Sequence, residues 1–125
     1  MALPIVKIAP AQPYDLYLTF QGIAAYQVLE YAPDGTGGWT LSKTVQPGGY
    51  STDPQHDTYA MTPVASGDQR LVLISANMSS VTGSDPVSMK AVFQQAKVPI
   101  RTDQASGQDS GALVTLALRT VFQGT

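Results

Sequence analysis

The chain has 125 residues, of which 43% are hydrophobic and only 13% are charged, and its formal net charge is -2. This composition predicts one globular domain, residues 1–125, and excludes disorder driven by charge repulsion. The seven Lys and Arg residues are scattered along the chain, so we expect no nucleic-acid partner. The absence of Cys excludes disulfides, thiolate metal sites and a Cys nucleophile.

The N-terminal sequence predicts neither a secretory signal nor a membrane span. It lacks a basic segment followed by a long apolar stretch, which a signal peptide requires. The longest aliphatic run, residues 71–74, is far shorter than the roughly 20 residues of a membrane-spanning helix. We therefore expect no transmembrane segment, and the location stays open between the cytoplasm and export by a non-classical route.

The first 13 residues contain three prolines and are predicted to form an extended peripheral arm. Proline fixes its own φ and lacks an N–H group, which disfavours a helix here. From residue 14 the sequence alternates strictly between apolar and polar positions, which predicts a half-buried strand. Its predicted inner face is formed by Tyr14, Leu16, Leu18 and Phe20.

A hairpin is predicted next. Residues 23–31 are partly apolar on both faces, which is typical of a central strand. Residues 32–38 are rich in Pro, Asp and Gly, the residues that turns favour. The return strand begins at Trp39 and alternates as far as Val45. Residues 46–56 contain two prolines and two glycines, so a long polar loop is predicted there.

Residues 86–96 fit two patterns. As a helix they have Asp85 as the N-cap, Pro86 at the first position and an apolar stripe at helical spacing. As a strand they place Val87 and Met89 on one face. The β-rich surroundings favour the strand, and a single short helix is the alternative.

The remaining segments complete an all-β pattern. A short strand is predicted at residues 57–61 and a buried strand at 70–76, the most hydrophobic run. A second polar loop at residues 100–111 precedes the closing strand at 112–122. About seven strands at this spacing predict an antiparallel β-sandwich of the jelly-roll or immunoglobulin-like kind.

Residue types suited to catalysis are scarce. The chain has one histidine, His56, and no G-x-S-x-G segment, so we expect no enzymatic activity. Asp53 and Asp57 lie close to His56 in sequence, and carboxylate oxygens suit calcium while imidazole suits zinc or nickel. The spacing matches no fixed set of metal ligands. Calcium held between loops is the candidate cofactor, and the alternative is that these Asp residues simply stabilise turns.

Aromatic residues beside the predicted loops suggest a ligand surface. An exposed aromatic ring with neighbouring amides and carboxylates is suited to stack on a sugar and to hydrogen-bond it. The alternative for Trp39 is an indole that fills one end of the core. The predicted ligand-binding residues are Trp39, Tyr50, Asp53, His56, Asp57, Asp103 and Asp109.

These features favour a non-enzymatic recognition module, which binds carbohydrate or another surface ligand through its loops as a homo-oligomer. The two predicted polar loops, which contain most of the candidate residues, are the basis of this hypothesis. One alternative is a structural protein, such as a virion decoration or inclusion-forming subunit, whose N-terminal arm reaches a neighbouring copy. A toxin component is the third alternative.

Overall fold

The computed structural model of the protein describes residues 3–52, 56–80 and 82–125. This part of the chain contains nine β-strands and no helix. The strands are β1 (Ile5–Ile8), β2 (Tyr14–Gln21), β3 (Ile23–Pro33), β4 (Trp39–Thr52), β5 (His56–Met61), β6 (Gln69–Ser79), β7 (Pro86–Gln95), β8 (Val98–Gln108) and β9 (Val114–Gly124). Accordingly, no described helix could cross a membrane.

The strands form two sheets that pack against each other. The five-stranded sheet has the order β1-β9-β6-β3-β4, and the four-stranded sheet has the order β5-β2-β7-β8. Neighbouring strands are antiparallel except for β1 and β9, which are parallel. The predicted all-β sandwich is thus confirmed, with nine strands in place of about seven.

The core lies between the sheets and is built from alternate residues of each strand. All four residues predicted for the inner face of β2 are buried, and Phe20 is the most exposed of them at 1%. From the opposite sheet, β3 contributes Tyr26 and Val28, and β9 contributes Phe122. The rings of Phe93 and Phe122 lie 4.6 Å apart between their centroids, which joins the two sheets. Strict alternation therefore identified the buried face of β2 correctly.

Residues 86–95 form β7, so the preferred strand prediction is confirmed and the alternative of a helix near 86–96 is wrong. Val87, Met89, Ala91 and Phe93 are all buried, which is the period of two that a strand requires. A helix would have pointed Val87 and Met89 in different directions. Pairing with β2 and β8, together with burial of these side chains in the core between the sheets, overrides the helical capping signal of Asp85 and Pro86.

Within the described residues both predicted polar loops are largely strand, and these predictions are wrong. Residues 53–55 of the first predicted loop lie outside the described part of the chain. β4 continues through residues 46–52, because Pro and Gly are accommodated by irregular pairing at the edge of the sheet. β8 occupies most of residues 100–111, after a two-residue turn at Ala96 and Lys97 with φ values of 53° and 64°. Glycine or asparagine usually marks such a turn, and neither is present.

Part of the predicted N-terminal arm belongs to the sandwich. Ile5–Ile8 pair with residues 121–124 of β9 in the same chain. The N–H of Val121 also donates to the carbonyl of Pro4 at 2.9 Å. The proline-rich segment is therefore extended over β1, where it forms one edge of the five-stranded sheet.

Candidate ligand-binding cleft

The outer face of the five-stranded sheet contains a cleft with a volume of about 540 Å³. Ligand sites typically have volumes of roughly 300–1,000 Å³, so this cleft has the size of a small-molecule site. The residues that line it belong to four adjacent strands, β9, β6, β3 and β4. They are Ala25, Tyr26, Gln27, Pro47, Gly48, Gly49, Ser75, Ala76, Asn77 and Thr115.

Strand pairing brings the polar side chains of the cleft together. Gln27 of β3 pairs with Ser75 of β6, and Asn77 of β6 pairs with Thr115 of β9. Paired residues share a face of the sheet, and these positions alternate with the buried residues of the core. Ala25 lies beside Asn77 and adds only a methyl group. The floor is therefore built from amides, hydroxyls and small side chains.

A bulge in β4 forms one wall of the cleft. Tyr26 pairs with Gly49 and Val28 pairs with Gln46, so Pro47 and Gly48 together oppose the single residue Gln27. Such a bulge bends the strand that carries the extra residue. The N–H of Gly48 donates to Oε1 of Gln46 at 3.1 Å, which stabilises the bent segment.

Beneath this wall, Gly49 lies directly against the ring of Tyr26. A Cβ atom at residue 49 would be 2.6 Å from Cζ of Tyr26, so only glycine fits there without movement. The Tyr26 ring belongs to the core and is 3% exposed. Its hydroxyl donates to Oδ2 of Asp57 and shares a second hydrogen bond with the Tyr59 hydroxyl. These contacts connect the cleft wall to β5 of the other sheet.

The electrostatics of the cleft are neutral. Its lining includes no charged side chain among the described residues. Burial, followed by the hydrogen bonds with Asp57 and Tyr59, raises the pKa of Tyr26 well above its usual range. The phenol therefore stays protonated at neutral pH, where it donates to the Asp57 carboxylate.

A hydrogen bond orients the amide at the far side of the cleft. The Thr115 hydroxyl donates to Oδ1 of Asn77 at 2.9 Å. Because Oδ1 of Asn77 accepts this bond, the amide nitrogen of Asn77 remains as a donor for a ligand. The lone pairs of the Thr115 oxygen remain as acceptors. Gln27, which is exposed, supplies a second amide on the neighbouring strand. The cleft thus offers donors and acceptors without charge.

The structure disperses the site residues that the sequence predicted. Asp57 accepts a hydrogen bond from the Tyr26 hydroxyl, and its connection to the cleft is through Tyr26. Trp39 is half-buried at the start of β4, opposite Pro33 and far along the strand from the cleft wall. Asp53 and the side chains of Tyr50 and His56 lie outside the described residues.

Asp103 and Asp109 have structural roles. Asp103 accepts hydrogen bonds from Arg101 and from the Thr120 hydroxyl, each at 2.9 Å, and the second bond joins the two sheets. The hydrogen bond that Arg101 donates to Asp103 raises the pKa of Arg101. Asp109 accepts from the backbone N–H groups of Ser80 and Gly111, which lower the pKa of its carboxyl. Both carboxylates are thus occupied by protein donors.

No group of three or more His, Asp or Glu residues gathers as a metal site in the part of the chain that the structure describes. The acidic residues with described side chains mostly accept hydrogen bonds from nearby donors. Asp34, for example, accepts from the hydroxyl and N–H of Thr36, which lower the pKa of its carboxyl. Its carboxylate holds the turn between β3 and β4 together.

Sequence analysis did not identify Gln27, Ser75, Asn77 or Thr115. Each is an ordinary polar residue at an outward position of a strand. What distinguishes them is their cross-strand neighbours, which depend on the register of three strands. No local sequence signal reports that register.

Comparisons with known proteins support the fold alone. No protein-family model matches the chain, and no curated protein is similar to it. A solved structure with a similar fold is a domain of unknown function, DUF4425, from Bacteroides vulgatus, with a TM-score of 0.53 and 7% sequence identity. The similarity covers 91% of this chain and 97% of that chain, so the two sandwiches correspond over nearly their whole length.

Proposed function

We propose that this protein is a non-enzymatic recognition module that binds carbohydrate in the cleft of the five-stranded sheet. The observation that carries the proposal is the combination of a cleft of about 540 Å³ with a lining that is polar but uncharged. A sugar presents many hydroxyl groups, each a donor and an acceptor, and carries no charge in its common neutral forms. The lining of the cleft matches that chemistry.

The polar groups are placed for a ligand that hydrogen-bonds on more than one side. The amides of Gln27 and Asn77 lie on adjacent strands, and the hydroxyls of Ser75 and Thr115 lie beside them. Amide and hydroxyl groups can each accept and donate, so they can follow the hydroxyl pattern of a sugar ring. Ala25 leaves the floor low enough for the ring to approach the sheet.

Binding is favoured over hydrolysis by the side chains at the cleft. Glycoside hydrolysis usually needs two carboxyl groups on opposite sides of the scissile bond. The described lining contains neither a carboxylate nor an imidazole. Tyr26, its one titratable residue, directs its hydroxyl to Asp57 and Tyr59. The same lack of carboxylates leads us to expect binding that is independent of calcium.

A glycan panel followed by calorimetric titration tests the proposal. We expect a neutral glycan to bind, with NMR shift changes centred on Gln27, Ser75 and Asn77. Gln27→Ala and Asn77→Ala should each weaken binding about tenfold, which corresponds to the roughly 1.4 kcal/mol of one or two hydrogen bonds. The matched control is Gln104→Ala, which removes an exposed amide from the four-stranded sheet.

Three results would contradict the proposal. The first is the absence of binding by any neutral glycan at millimolar concentration. The second is glycan binding that responds equally to Gln104→Ala and Asn77→Ala. The third is binding that is abolished by a calcium chelator, which would place the ligand at carboxylates outside the cleft.

A further inference from the structure

An exposed arginine lies beside the cleft on β9. Arg119 pairs with Leu73 of β6, and the next pair on this face joins Ala117 to Ser75 of the cleft. Arg119 is thus a diagonal neighbour of Ser75, and diagonal neighbours are roughly 7–8 Å apart, within reach of long side chains. Between Arg119 and the cleft, this face of β9 carries only Ala117, which is also exposed. A ligand that extends beyond the cleft along β9 therefore comes within reach of Arg119.

The guanidinium of Arg119 is not neutralised within the described part of the chain. The two ion pairs there belong to Arg70 and Arg101, and neither involves Arg119. The cross-strand and diagonal neighbours of Arg119 on β6 are two leucines and Ser75, none of which is acidic. A guanidinium carries five N–H donors and stays charged at neutral pH, so these donors can bind an anionic ligand.

The five-stranded sheet as a whole is basic, although the chain has a net charge of -2. Its strands contain four basic residues and one acidic residue, Glu30. Glu30 is 1% exposed, so no carboxylate of these strands opposes an anion that approaches the outer face. The four basic residues are Lys7, Lys43, Arg70 and Arg119.

A second donor lies next to the same position. Ser75 lines the cleft, and its hydroxyl can donate one hydrogen bond. Ser75 and Arg119 are both neighbours of Ala117, whose methyl group occupies little space above the sheet. The planar fork of an arginine binds two oxygens of a carboxylate or sulfate at once, through charge-assisted hydrogen bonds. The surface above Ala117 is therefore suited to an anionic group of a ligand.

We propose that the glycan bound in the cleft is acidic. A neutral sugar unit occupies the uncharged lining, and the adjoining unit places a carboxylate or sulfate group above Ala117, where Arg119 and Ser75 donate to it. The acidic class of the glycan rests on the proposed function, because the neutral unit must bind in the cleft. Arg119 then determines which glycans bind most tightly.

The expected gain in affinity is moderate because Arg119 is exposed. Ion pairs at exposed positions contribute weakly and are screened by salt. We expect the anionic group to strengthen binding about fivefold at low ionic strength. In about 0.5 M NaCl, where charges are screened within a few ångströms, the gain should fall below about twofold.

Isothermal titration calorimetry with three matched probes tests this assignment. The probes are a neutral glycan that binds, the same glycan oxidised to a uronic acid at one C6 position, and the same glycan sulfated there. At least one acidic form should bind about fivefold more tightly than the neutral form. The acidic form with the larger gain identifies the anionic group as a carboxylate or a sulfate.

Substitutions at Arg119 test the contact itself. Arg119→Gln should bring the ratio of acidic to neutral affinity close to one. Arg119→Lys should keep part of the preference, because the charge remains while the fork is lost. The matched control is Lys7→Gln, which removes the same charge from an exposed residue opposite Gln123, far along β9 from the cleft. It should leave the ratio unchanged, and circular dichroism should show that all three variants are folded.

Two substitutions of nearly equal size at Ala117 provide a second test. Ala117→Asp places a carboxylate where the anionic group of the ligand is proposed to bind, so it should abolish the preference for acidic forms. Juxtaposed like charges are unfavourable, and the new carboxylate would also pair with Arg119. Ala117→Asn adds no charge, so its ratio of acidic to neutral affinity should stay at least about threefold above that of Ala117→Asp.

The outcomes separate this inference from the proposed function. Binding of neutral glycans with no gain for either acidic form would overturn the inference and leave the proposed function standing. A preference that Lys7→Gln reduces as much as Arg119→Gln does would also overturn it, as would equal ratios in Ala117→Asp and Ala117→Asn. Absence of binding by every glycan, neutral or acidic, would overturn both.

Discussion

The outer faces of the two sheets are built by the same alternation of residues but have different shapes. On the four-stranded sheet, one row in register consists of Thr58, Tyr17, Val92 and Thr102. The next row includes Thr19, Lys90 and Gln104. These medium and long side chains stand at regular intervals across the sheet and fill its surface.

The outer face of the five-stranded sheet is lower at one end, because small residues lie near one another on neighbouring strands there. Ala25, Ser75 and Ala117 lie on three adjacent strands, and the bulge at Pro47 and Gly48 rises beside them. A low floor next to a raised edge produces the cleft. The comparison shows that a concave site on a sheet can depend on which residues are neighbours, more than on the composition of any one strand.

The largest expected effect on stability comes from adding a methyl group at Gly49, between the cleft wall and the core. In Gly49→Ala the new Cβ would overlap the Tyr26 ring, which is held by Asp57, Tyr59 and the ring of Phe20. We expect the free energy of unfolding, measured in urea, to fall by about 1–3 kcal/mol.

Gly48→Ala is the matched control for this change. A Cβ atom at residue 48 would meet nothing within 4 Å, so stability should change by less than about 0.5 kcal/mol. Equal stability of the two variants would show that Tyr26 can move away, and that the wall does not depend on its contact with the core.

A smaller effect is expected from the hydrogen bonds of Tyr26. Because its pKa is raised in the folded state, Tyr26 keeps its proton above about pH 10, where a tyrosine in the unfolded chain loses it. The contribution to stability is intact below that pH and is lost as the pH rises. The free energy of unfolding should fall by up to about 1.4 kcal/mol per pH unit.

Tyr26→Phe separates this contribution from other alkaline effects. The variant should lose about 1 kcal/mol at pH 7, since the hydrogen bonds to Asp57 and Tyr59 are removed. Above pH 10 its stability should decline less steeply than that of the natural sequence, in urea unfolding curves measured at each pH. Parallel curves for the two proteins would mean that another group titrates.

The smallest effect on stability is expected from filling the cleft. Ala25→Gln adds an exposed side chain over the floor, and its effect on unfolding should stay within about 0.5 kcal/mol. Glycan affinity should nevertheless fall at least about tenfold, because the side chain occupies the volume that the ligand needs. Thr19→Gln, on the flat face, should change neither quantity. Retained binding in Ala25→Gln, measured by calorimetry, would place the ligand elsewhere.

The sequence was informative where burial imposes a simple period. The inner face of β2 and the strand at residues 86–95 follow from alternate apolar residues, because one side of a sheet must face the core. The position of the turn before Trp39 followed from a different local signal, because Pro fixes its φ and Gly allows a positive φ, which Gly35 and Gly37 have. Together these segments were sufficient to predict an all-β sandwich.

Local signals failed where a strand carries residues that usually terminate one. Pro47 and Gly48 predicted a loop, but at an edge strand a missing N–H and a bulge cost little. Ala96 and Lys97 gave no turn signal, although both have positive φ, so β8 was missed. Of the acidic residues assigned to a ligand site, Asp57, Asp103 and Asp109 accept hydrogen bonds from other residues of the fold.

The sequence by itself therefore determined the fold class, the identity of much of the core and the scarcity of catalytic residues. Only the tertiary structure decided where the cleft lies. The cleft is formed by residues distant in the chain, such as Gln27, Asn77 and Thr115, that register places side by side. Register is fixed by pairing between strands and by burial of the opposite face, and these interactions act across the fold.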